Sequence, residues 1–462
     1  MVGYLLNIAY ATLMLVASPW LIYAAIRKGK YREGCAEKLW GRVPSRAGNA
    51  TCVWFHAVSV GEVKLLVPLV RELSAQRPDW EFVISTTTRT GRALAREKFP
   101  DRVTFYCPLD FTWAVRGALR RIRPDYLVLA ELELWPNLIR LAHRQGAQVA
   151  VVNGRMSDNS FPGYRRIRPL IGWLLRHVDL IACQNEQYAE RFRQLGASDK
   201  SVRVTGSIKF DDTETNRDHP ASQALRELVG ISAADVVFTA GSTHAGEEEA
   251  ALEAYVQLRR RHPELRLVLV PRHPERFAEV ARLLADSGLP WQRRSQRSDG
   301  AQQERASSPS ERSPAARQHD SEATRVLLVD TVGELSAWWG VTDIALVGGS
   351  LIPHGGQNMI EPAAFGCAIC FGPHTQNFRD VVAILKKQQA AVVVEDASEL
   401  KDFVQRCLVE PNYPAELGSR AAGIVAAGQG ATKRTTAHLL ALEMAAEPEQ
   451  RVRRGAVDRH AA

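Results

Sequence analysis

The sequence has few cysteines and no arrangement of them that would build a disulfide framework. Its seven cysteines, among 462 residues, are scattered singly except for Cys367 and Cys370, which form one CxxC pair. A structural zinc site would need a second pair, and an odd total without regular spacing is typical of a reducing compartment. We therefore predict that Cys367 and Cys370 are buried strand residues, and we expect no metal site.

Charge is absent from one long stretch near the start of the chain. No charged residue occurs over 4–26, a length that lets a helix cross ~30 Å of hydrocarbon. Four basic residues follow within 27–32, and the positive-inside rule then predicts that the rest of the chain is cytoplasmic. Residues 1–30 are predicted to be a membrane anchor. Because Asn7 and Pro19 weaken a simple spanning helix, both a spanning anchor and an interfacial one stay open.

Apolar residues almost vanish over 292–324, where Arg, Ser and Gln dominate. Such a composition predicts a solvated, disordered insertion. The whole chain carries 59 Lys and Arg against 51 Asp and Glu, a net charge of +8. A basic balance suits nucleic acid, an anionic membrane or a phosphorylated substrate. No zinc-finger or helicase-like signature occurs, and charge alone cannot choose among these partners, although we expect no nucleic acid partner.

Short apolar runs alternate with longer amphipathic segments over most of the chain. This alternation predicts βαβ units, and hence two α/β domains over 31–210 and 211–410, followed by a helical tail over 411–462. Ligands bind outside the carboxyl ends of parallel strands, so two such domains facing each other would form one cleft. The predicted strands are 52–55, 82–85, 126–130, 148–152 and 180–183 in the first domain, and 236–240, 267–270, 326–329, 344–347, 368–371 and 391–394 in the second.

The stretch 348–378 carries a glycine-rich loop between a predicted strand and a predicted helix. Free backbone N–H groups in such a loop and at the helix start would bind phosphate. Glu361, one turn inside the helix that starts near Asn358, would accept hydrogen bonds from ribose hydroxyls. The loop therefore predicts a nucleotide site, although an ordinary βα turn fits the glycine spacing equally well.

Acidic and basic motifs follow predicted strands of the first domain. Glu62, in HAVSVGE, is either a general base or a complement to the dipole of the helix it begins. Glu131 and Glu133, in ELELWPN, lie where an α/β domain keeps its site, and Glu133 alternatively caps the next helix. Lys209, in GSIKFD, either stabilises negative charge on a leaving phosphate or is a surface lysine of the domain joint.

Polar or glycine-rich turns also follow three further predicted strands of the second domain. GSTHAGE over 241–247 opens a helix, and DTVGEL over 330–335 follows another strand. Arg272, in PRHPER, is placed to meet a phosphate or a base edge. Together with the glycine-rich loop, four strand ends of one domain carry such turns, and this agreement indicates a ligand site more strongly than any single motif.

Taken together, these motifs resemble those of the 3-deoxy-D-manno-octulosonic acid (Kdo) transferases of lipopolysaccharide core biosynthesis. The resemblance extends from the N-terminal anchor to about residue 408. It implies a GT-B type glycosyltransferase that moves Kdo from CMP-Kdo to a lipid A precursor, lipid IVA, at the cytoplasmic face of the inner membrane. The motifs that carry it are AVSVGE, ELELWPN, GSIKFD, GSTHAGEE, PRHPERF, DTVGEL and GGSLIPHGGQNMIEP, in that order.

The resemblance also implies roles for individual residues. Glu62 would be the catalytic base, and Glu131 and Lys209 would stabilise the transition state. CMP-Kdo would be the donor substrate without any further cofactor, and inner-membrane lipids would be partners. The residues that would contact CMP are Pro271, Arg272, Gly333, Glu334, Leu335, Asn358, Met359, Ile360 and Glu361.

Two other functions are consistent with the sequence. One is a GT-B glycosyltransferase that uses another nucleotide sugar, which a panel of donors would separate. The other is a non-enzymatic protein that binds lipid A or membrane, and it would bind the acceptor without releasing CMP. Simple lipid binding does not need so many polar strand ends in the second domain, which favours an enzyme. Because no compact Asp-x-Asp pair follows a predicted strand, we expect fixed donors rather than a metal to balance the leaving phosphate.

Overall fold

The computed structural model describes residues 2–28, 33–297 and 325–445. The chain divides into two compact units. Unit 1 comprises Met1–Asp212 with Gly428–Ala462, and unit 2 comprises Thr213–Ala427. The residues predicted as one helical tail, 411–462, are therefore divided between the two units.

The predicted insertion begins later than expected. Gln292 and Arg293 pair in register with Leu327 and Leu328, so the first residues of 292–324 form a strand. An edge strand needs no continuous apolar run, and the composition therefore hid it. Residues 298–324 lie outside the described residues.

Unit 1 is built on a seven-stranded parallel sheet in the order β3-β2-β1-β4-β5-β6-β7, with helices between the strands. The strands are β1 Cys52–Ala57, β2 Glu81–Thr86, β3 Val103–Tyr106, β4 Tyr126–Ala130, β5 Gln148–Gly154, β6 Leu180–Cys183 and β7 Val202–Val204. The helices are α1 Val2–Lys28, α2 Cys35–Trp40, α3 Val60–Gln76, α4 Arg89–Lys98, α5 Thr112–Ile122, α6 Pro136–Arg144, α7 Phe161–Arg166, α8 Arg168–Leu175 and α9 Glu186–Gln194.

Both faces of this sheet are buried. Along β1, Trp54 packs in one apolar cluster, whereas Val53 and Phe55 pack in a second cluster on the opposite face. Successive side chains of a strand point to opposite faces, so a strand covered by helices on both sides reads as a continuous apolar run. This is why the central strands could be predicted from the sequence.

A helix from the end of the chain completes unit 1. The Asp211 carboxylate accepts backbone N–H bonds from Gly430 at 2.6 Å, from Ala431 at 3.2 Å and from Thr432. An acidic side chain at a helix start satisfies amides that have no partner within the helix. Asp211 therefore fixes the start of the last described helix, Ala431–Ala445, against the GSIKFD motif.

Helix α1 docks on unit 1 through its polar side chains. The Asn7 amide group donates to the Thr112 hydroxyl at 2.7 Å and accepts from the Thr112 backbone N–H at 3.0 Å. The Tyr10 hydroxyl donates to Asp110 at 3.0 Å. Asn7 thus has partners inside the protein. Among the described residues, no helix has both the length and the apolar character needed to cross a bilayer.

Unit 2 repeats the architecture with a sheet in the order β10-β11-β9-β8-β12-β13-β14, again all parallel. The strands are β8 Val236–Thr243, β9 Leu265–Pro271, β10 Trp291–Arg293, β11 Val326–Leu328, β12 Ile344–Val347, β13 Ala368–Phe371 and β14 Val392–Val393. The helices are α10 Pro220–Leu228, α11 Glu247–Leu258, α12 Phe277–Asp286, α13 Leu335–Val341, α14 Ile360–Ala364, α15 Arg379–Lys387, α16 Ala397–Val409 and α17 Asn412–Gly428.

The CxxC pair lies in the core of unit 2. Cys370 belongs to β13, Cys367 directly precedes that strand, and both side chains are fully buried. Burial raises the pKa of the Cys367 thiol to about 12. The prediction of two buried strand residues is confirmed for Cys370, whereas Cys367 is buried but lies just outside the strand.

All eleven predicted strands are present, and the structure adds three more. The additional strands, β3, β7 and β10, are all edge strands of their sheets. At least half of the residues in each of these strands are only partly buried or are exposed, unlike those of the central strands. Contact with solvent at the sheet edge shortens the apolar run that marks a central strand, which explains why these three were missed, whereas the fourth edge strand, β14, was predicted.

Candidate active site

The acidic motifs of unit 1 meet at the point where the strand order of its sheet reverses. β1 is flanked by β2 on one side and by β4 on the other, so the loops after β1 and β4 leave the sheet at its topological switch point. Open α/β sheets bind ligands there. Glu62 follows β1, and Glu131 and Glu133 follow β4. The structure thus brings the three predicted carboxylates of unit 1 together.

Glu62 is held in a fixed orientation by the start of its own helix. Its carboxylate accepts hydrogen bonds from the Val58 backbone N–H and from the Ser59 hydroxyl, each at 2.8 Å. Ser59 caps α3 in return by accepting from the Glu62 N–H at 3.4 Å. Burial raises the pKa of Glu62, nearby Glu131 adds to this, and the two donated hydrogen bonds oppose it. Glu62 therefore does lie at the helix start as that interpretation predicts, and its carboxylate oxygens keep further lone pairs that can accept a proton.

Glu131 lies between two cations. Its carboxylate pairs with the Arg155 Nε at 2.7 Å and with the Lys209 Nζ at 3.4 Å. Its backbone is left-handed, with φ 54°, which is unfavourable for a residue with a side chain and is found at functional sites. Lys209 is therefore not a free surface lysine, because the GSIKFD motif directs it to the acidic motif.

Glu133 does not cap the helix that follows it, so the prediction of a capping role for Glu133 is wrong. The N-cap of α6 is Trp135, and the Glu133 carboxylate accepts from the Trp135 indole N–H at 3.0 Å. Burial, together with the negative charges of Glu62 and Glu131, raises the pKa of Glu133 to about 7, although the hydrogen bond from Trp135 opposes this. Glu133 is therefore partly protonated near neutral pH.

Sequence reasoning missed two residues at this site. Arg155 pairs with Glu131, and Asn153 accepts from the Ile208 N–H at 3.0 Å, which fixes the turn that carries Lys209. Asn153 also has a left-handed backbone, with φ 53°. Both residues come from the NGR sequence at the end of β5, and this polar ending of an apolar strand was the available signal.

In unit 2 the corresponding switch point lies between β8 and β12. The glycine-rich loop after β12 was predicted to offer free amides to a phosphate. Instead, the backbone N–H groups of Gly349, Ser350 and Leu351 donate to the buried Glu247 carboxylate at 2.7, 2.9 and 3.0 Å. A fourth bond comes from the His244 N–H at 2.9 Å. The prediction of free amides is therefore wrong for these three residues, and Glu247 is a loop organiser that the sequence did not reveal.

Close approach explains the glycine at the start of this loop. A Cβ on Gly348 would lie 2.4 Å from the Ser242 carbonyl oxygen, so no side chain fits there. Gly349 has a left-handed backbone, with φ 66°. The loop is therefore folded against the end of β8, and its glycines serve packing and turning.

The other residues predicted to contact CMP lie at neighbouring strand ends. Pro271 ends β9, and Arg272 directly after it is exposed and makes no ion pair within the described residues. Glu334 accepts from Arg294 at 2.9 Å and from the Thr331 hydroxyl at 2.7 Å. Gly333 has a left-handed backbone, with φ 93°, and Leu335 begins α13. These residues surround the carboxyl ends of β9 and β11.

The last four residues predicted to contact CMP, 358–361, lie at the start of α14. Asn358 donates to the Glu361 carboxylate at 2.8 Å and accepts from the Ile360 N–H at 3.1 Å. The side chains of Met359 and Ile360 are buried, so only their backbone groups are candidates for a ligand contact. No group of three or more His, Cys, Asp or Glu side chains in the described parts of the chain is arranged for a metal ion.

Two doubly wound parallel sheets, each with its polar groups at the switch point, define the class of protein. The architecture resembles GT-B glycosyltransferases. A solved structure of UDP-GlcNAc 2-epimerase from Neisseria meningitidis bound to UDP-GlcNAc matches 84% of this chain and 100% of its own, with a TM-score of 0.51 and 12% identity. This likeness concerns the fold alone.

Sequence comparison identifies the family. Residues 33–212 match the family model described as 3-deoxy-D-manno-octulosonic-acid transferase (kdotransferase). The 3-deoxy-D-manno-octulosonic acid transferase of Haemophilus influenzae is 31% identical over 436 residues, covering 92% of this chain and 96% of that protein. The transferase of the same name from Bordetella pertussis is 33% identical over 427 residues, covering 90% and 94%. The chain belongs to the Kdo transferase family, and it is a glycosyltransferase.

Proposed function

We propose that the protein transfers Kdo from CMP-Kdo to a hydroxyl of a lipid A precursor, lipid IVA, with inversion and with Glu62 as the base. The observation that carries this proposal is the Glu62 carboxylate itself. It is oriented by the Val58 N–H and the Ser59 hydroxyl, it lies at the switch point of unit 1, and its pKa is raised. A raised pKa brings a carboxylate closer to the neutral pH at which general bases work best.

The chemistry balances with groups of this chain. A hydroxyl of the acceptor gives its proton to the Glu62 carboxylate while its oxygen forms a bond to the anomeric carbon of Kdo. The bond from that carbon to the phosphate oxygen breaks, and CMP leaves with the electron pair. Attack from the face opposite the leaving group inverts the anomeric centre.

Glu131 and Lys209 are proposed to stabilise the transition state. Glu131 holds Arg155 and Lys209 in place on either side of its carboxylate, at 2.7 and 3.4 Å. Positive donors that are fixed before the reaction stabilise developing negative charge without reorganisation. We propose that such donors, rather than a metal, balance the charge on the leaving phosphate.

The proposed CMP contacts belong to unit 2. Arg272 would bind the phosphate, because its guanidinium is exposed at the end of β9. Pro271, Gly333 to Leu335 and Asn358 to Ile360 would contact CMP, and Glu361 would accept from the ribose hydroxyls. The amides of Gly349, Ser350 and Leu351 are left out of this set, because Glu247 uses them.

We propose that the protein works at the cytoplasmic face of the inner membrane with α1 as its anchor. The polar residues Asn7 and Tyr10 of α1 face the protein. The opposite arrangement, with apolar side chains inward, is normal for a helix in water. The large apolar side chains that α1 exposes instead are Tyr4, Leu5, Ile8, Leu13, Leu15, Val16, Trp20 and Tyr23.

Transfer is tested by incubating the full chain with CMP-Kdo and the tetraacyl lipid A precursor and reading the lipid by mass spectrometry. We expect a product whose mass has increased by one or more Kdo units, with release of CMP. Binding of the lipid without release of CMP would contradict an enzymatic role. Transfer from another nucleotide sugar, but not from CMP-Kdo, would contradict the donor assignment.

The anchor is tested by removing residues 2–26 and measuring flotation with vesicles. The truncated chain should lose binding to neutral vesicles and keep part of its binding to anionic vesicles, because basic surface remains. Equal binding of the truncated chain to both kinds of vesicle would contradict the electrostatic part.

A further inference from the structure

Three imidazoles meet at the switch point of unit 2. His244 follows β8, His273 follows β9 and His354 lies in the loop after β12, and these three strands are neighbours in the sheet. The ring centre of His244 is 4.0 Å from that of His354 and 5.4 Å from that of His273. His244 is 8% exposed, whereas the other two rings are at the surface. These three residues form a histidine cluster, in which two accessible imidazoles flank one buried imidazole.

The histidine cluster has no acidic partner among the described residues. The side-chain contact of His244 is with the Gln357 amide, at 3.4 Å between nitrogens. The carboxylate nearest in sequence, Glu247, is used by four backbone N–H groups. The next one, Glu248, pairs with Arg276 at 2.5 Å. Both of these acids therefore have partners other than the three imidazoles.

The charges that do face His244 are positive. Burial lowers the pKa of His244 to about 4, and the further causes are the charges of His354, His273, Arg276 and Arg272. Arg276 is balanced by Glu248 and by Glu279, whereas Arg272 is exposed with no ion pair in the described chain. The cluster is thus a site with donors and positive potential but without a counter-charge, which is the environment that an anion prefers.

The loop that carries His354 is held in place. The Asn377 amide donates to the carbonyl oxygens of His354 and Gly356, each at 3.3 Å. The Asn377 N–H donates to the Gly355 carbonyl at 2.9 Å. Together with the Glu247 bonds to the start of the loop, these contacts fix the distance between His354 and His244 before any ligand arrives.

We propose that His244 and His354, together with Arg272, form a subsite for an oxyanion of the sugar-nucleotide donor, and that this subsite selects an acidic sugar over a neutral one. The inference rests on the proposed function. CMP-Kdo carries two such groups, the phosphodiester and the carboxylate of the sugar, and both accept hydrogen bonds from imidazole and guanidinium. Neither group is bound by the amides of Gly349 to Leu351, so a different set of donors must hold it.

Binding without acceptor tests the subsite separately from the transfer reaction. The affinities of the full chain for CMP and for CMP-Kdo are measured by calorimetry for wild type, His354→Ala and His244→Asn. Each variant should weaken CMP-Kdo binding roughly tenfold or more, since a hydrogen bond to a charged group contributes about that much. His354→Ala removes an exposed side chain, so it is the variant less affected by any folding defect.

The control is His262→Ala, in the same unit. His262 precedes the amino end of β9, away from the carboxyl ends of the strands that carry the three imidazoles, and contacts Glu264 at 3.1 Å. This variant should bind both ligands within twofold of wild type.

Comparing the affinities for CMP and for CMP-Kdo distinguishes the two oxyanions. Weaker CMP-Kdo binding with unchanged CMP binding assigns the subsite to the sugar carboxylate. Loss of affinity for both ligands assigns it to the phosphate and overturns the selection of an acidic sugar. The inference is overturned if both variants bind both ligands as wild type does, or if wild type binds neither ligand. If wild type binds CMP-Kdo but transfers no Kdo to lipid, the proposed function fails while the subsite stands.

Discussion

The two units share one architecture but place different kinds of ionisable group at their switch points. After β1 and β4 of unit 1 come three carboxylates, Glu62, Glu131 and Glu133. After β8 and β12 of unit 2 come the imidazoles of His244 and His354. Burial raises the pKa of Glu133 to about 7 and lowers that of His244 to about 4, because it disfavours the charged form of either group.

The units also differ in how they use their acidic residues. In unit 1 the Glu62 carboxylate keeps unused lone pairs and lies next to two other carboxylates. In unit 2, the Glu247 carboxylate accepts hydrogen bonds from four backbone amides, and Glu248 forms an ion pair with Arg276. One fold therefore supplies a proton acceptor in unit 1 and, with the acids of unit 2 bonded elsewhere, a group of imidazole and guanidinium donors in unit 2. The chemistry depends on the residues at the strand ends, as is general for such sheets.

The largest expected effect comes from removing the proton acceptor of unit 1. Glu62→Gln should lower kcat by roughly 10²–10⁴, the usual contribution of a positioned base, while CMP binding stays unchanged. The amide still accepts one of the two hydrogen bonds, so the fold should persist. The control is Glu72→Gln on the same helix, whose side chain contacts Gln76. Turnover near that of wild type in Glu62→Gln would contradict the base assignment.

Two variants of unit 2 separate ground-state binding from charge stabilisation. Glu361→Ala should raise KM for CMP-Kdo roughly ten- to a hundredfold with little loss of kcat, because ribose hydroxyls do not change charge during transfer. Arg272→Ala should lower kcat as well, because phosphate charge grows as the bond breaks. Steady-state kinetics at saturating acceptor decide this. A loss of kcat at constant KM in Glu361→Ala would place Glu361 among the catalytic groups.

The organiser of the glycine-rich loop should affect stability. Glu247→Gln replaces a buried carboxylate that accepts four N–H bonds with an amide that brings N–H groups of its own towards them. We expect a loss of about 2–4 kcal/mol in the free energy of unfolding of unit 2, measured by denaturant titration. The matched control is Glu253→Gln on α11, whose side chain pairs with Gln257. Equal stability of the two variants would show that the loop holds its shape without Glu247.

The smallest effect concerns the raised pKa of Glu133. Because its folded pKa of about 7 is above the unfolded value, its stabilising contribution is complete below about pH 4.5 and is lost as pH rises through 7. Glu133→Gln should therefore match wild type at pH 4 and be more stable by roughly 1 kcal/mol at pH 8, a figure reduced for partial exposure. Thermal unfolding at both pH values measures this, and a difference that is the same at both would contradict it.

Particular elements show what could be predicted and what could not. The central strands, such as β4 and β12, were predictable because both of their faces are buried and they read as apolar runs. The edge strands β3, β7 and β10 carry no such signal. Glu62, Glu131 and Lys209 were singled out from their motifs, and the structure brings these three together. Arg155 and Asn153 were missed, because their role depends on the neighbouring strand and not on a motif of their own.

The sequence alone determined the two α/β units, the order of their central strands along the chain and the positions of the polar strand ends, because these follow from local apolar periodicity and turn residues. It could not determine which polar groups form hydrogen bonds or ion pairs with one another. Only the tertiary structure decided that Glu247 takes the amides of Gly349, Ser350 and Leu351, more than 100 residues away, and that His244 therefore lies without an acidic partner beside His354. Hydrogen bonds and charges act over a few ångströms in space, and chain folding alone sets those distances.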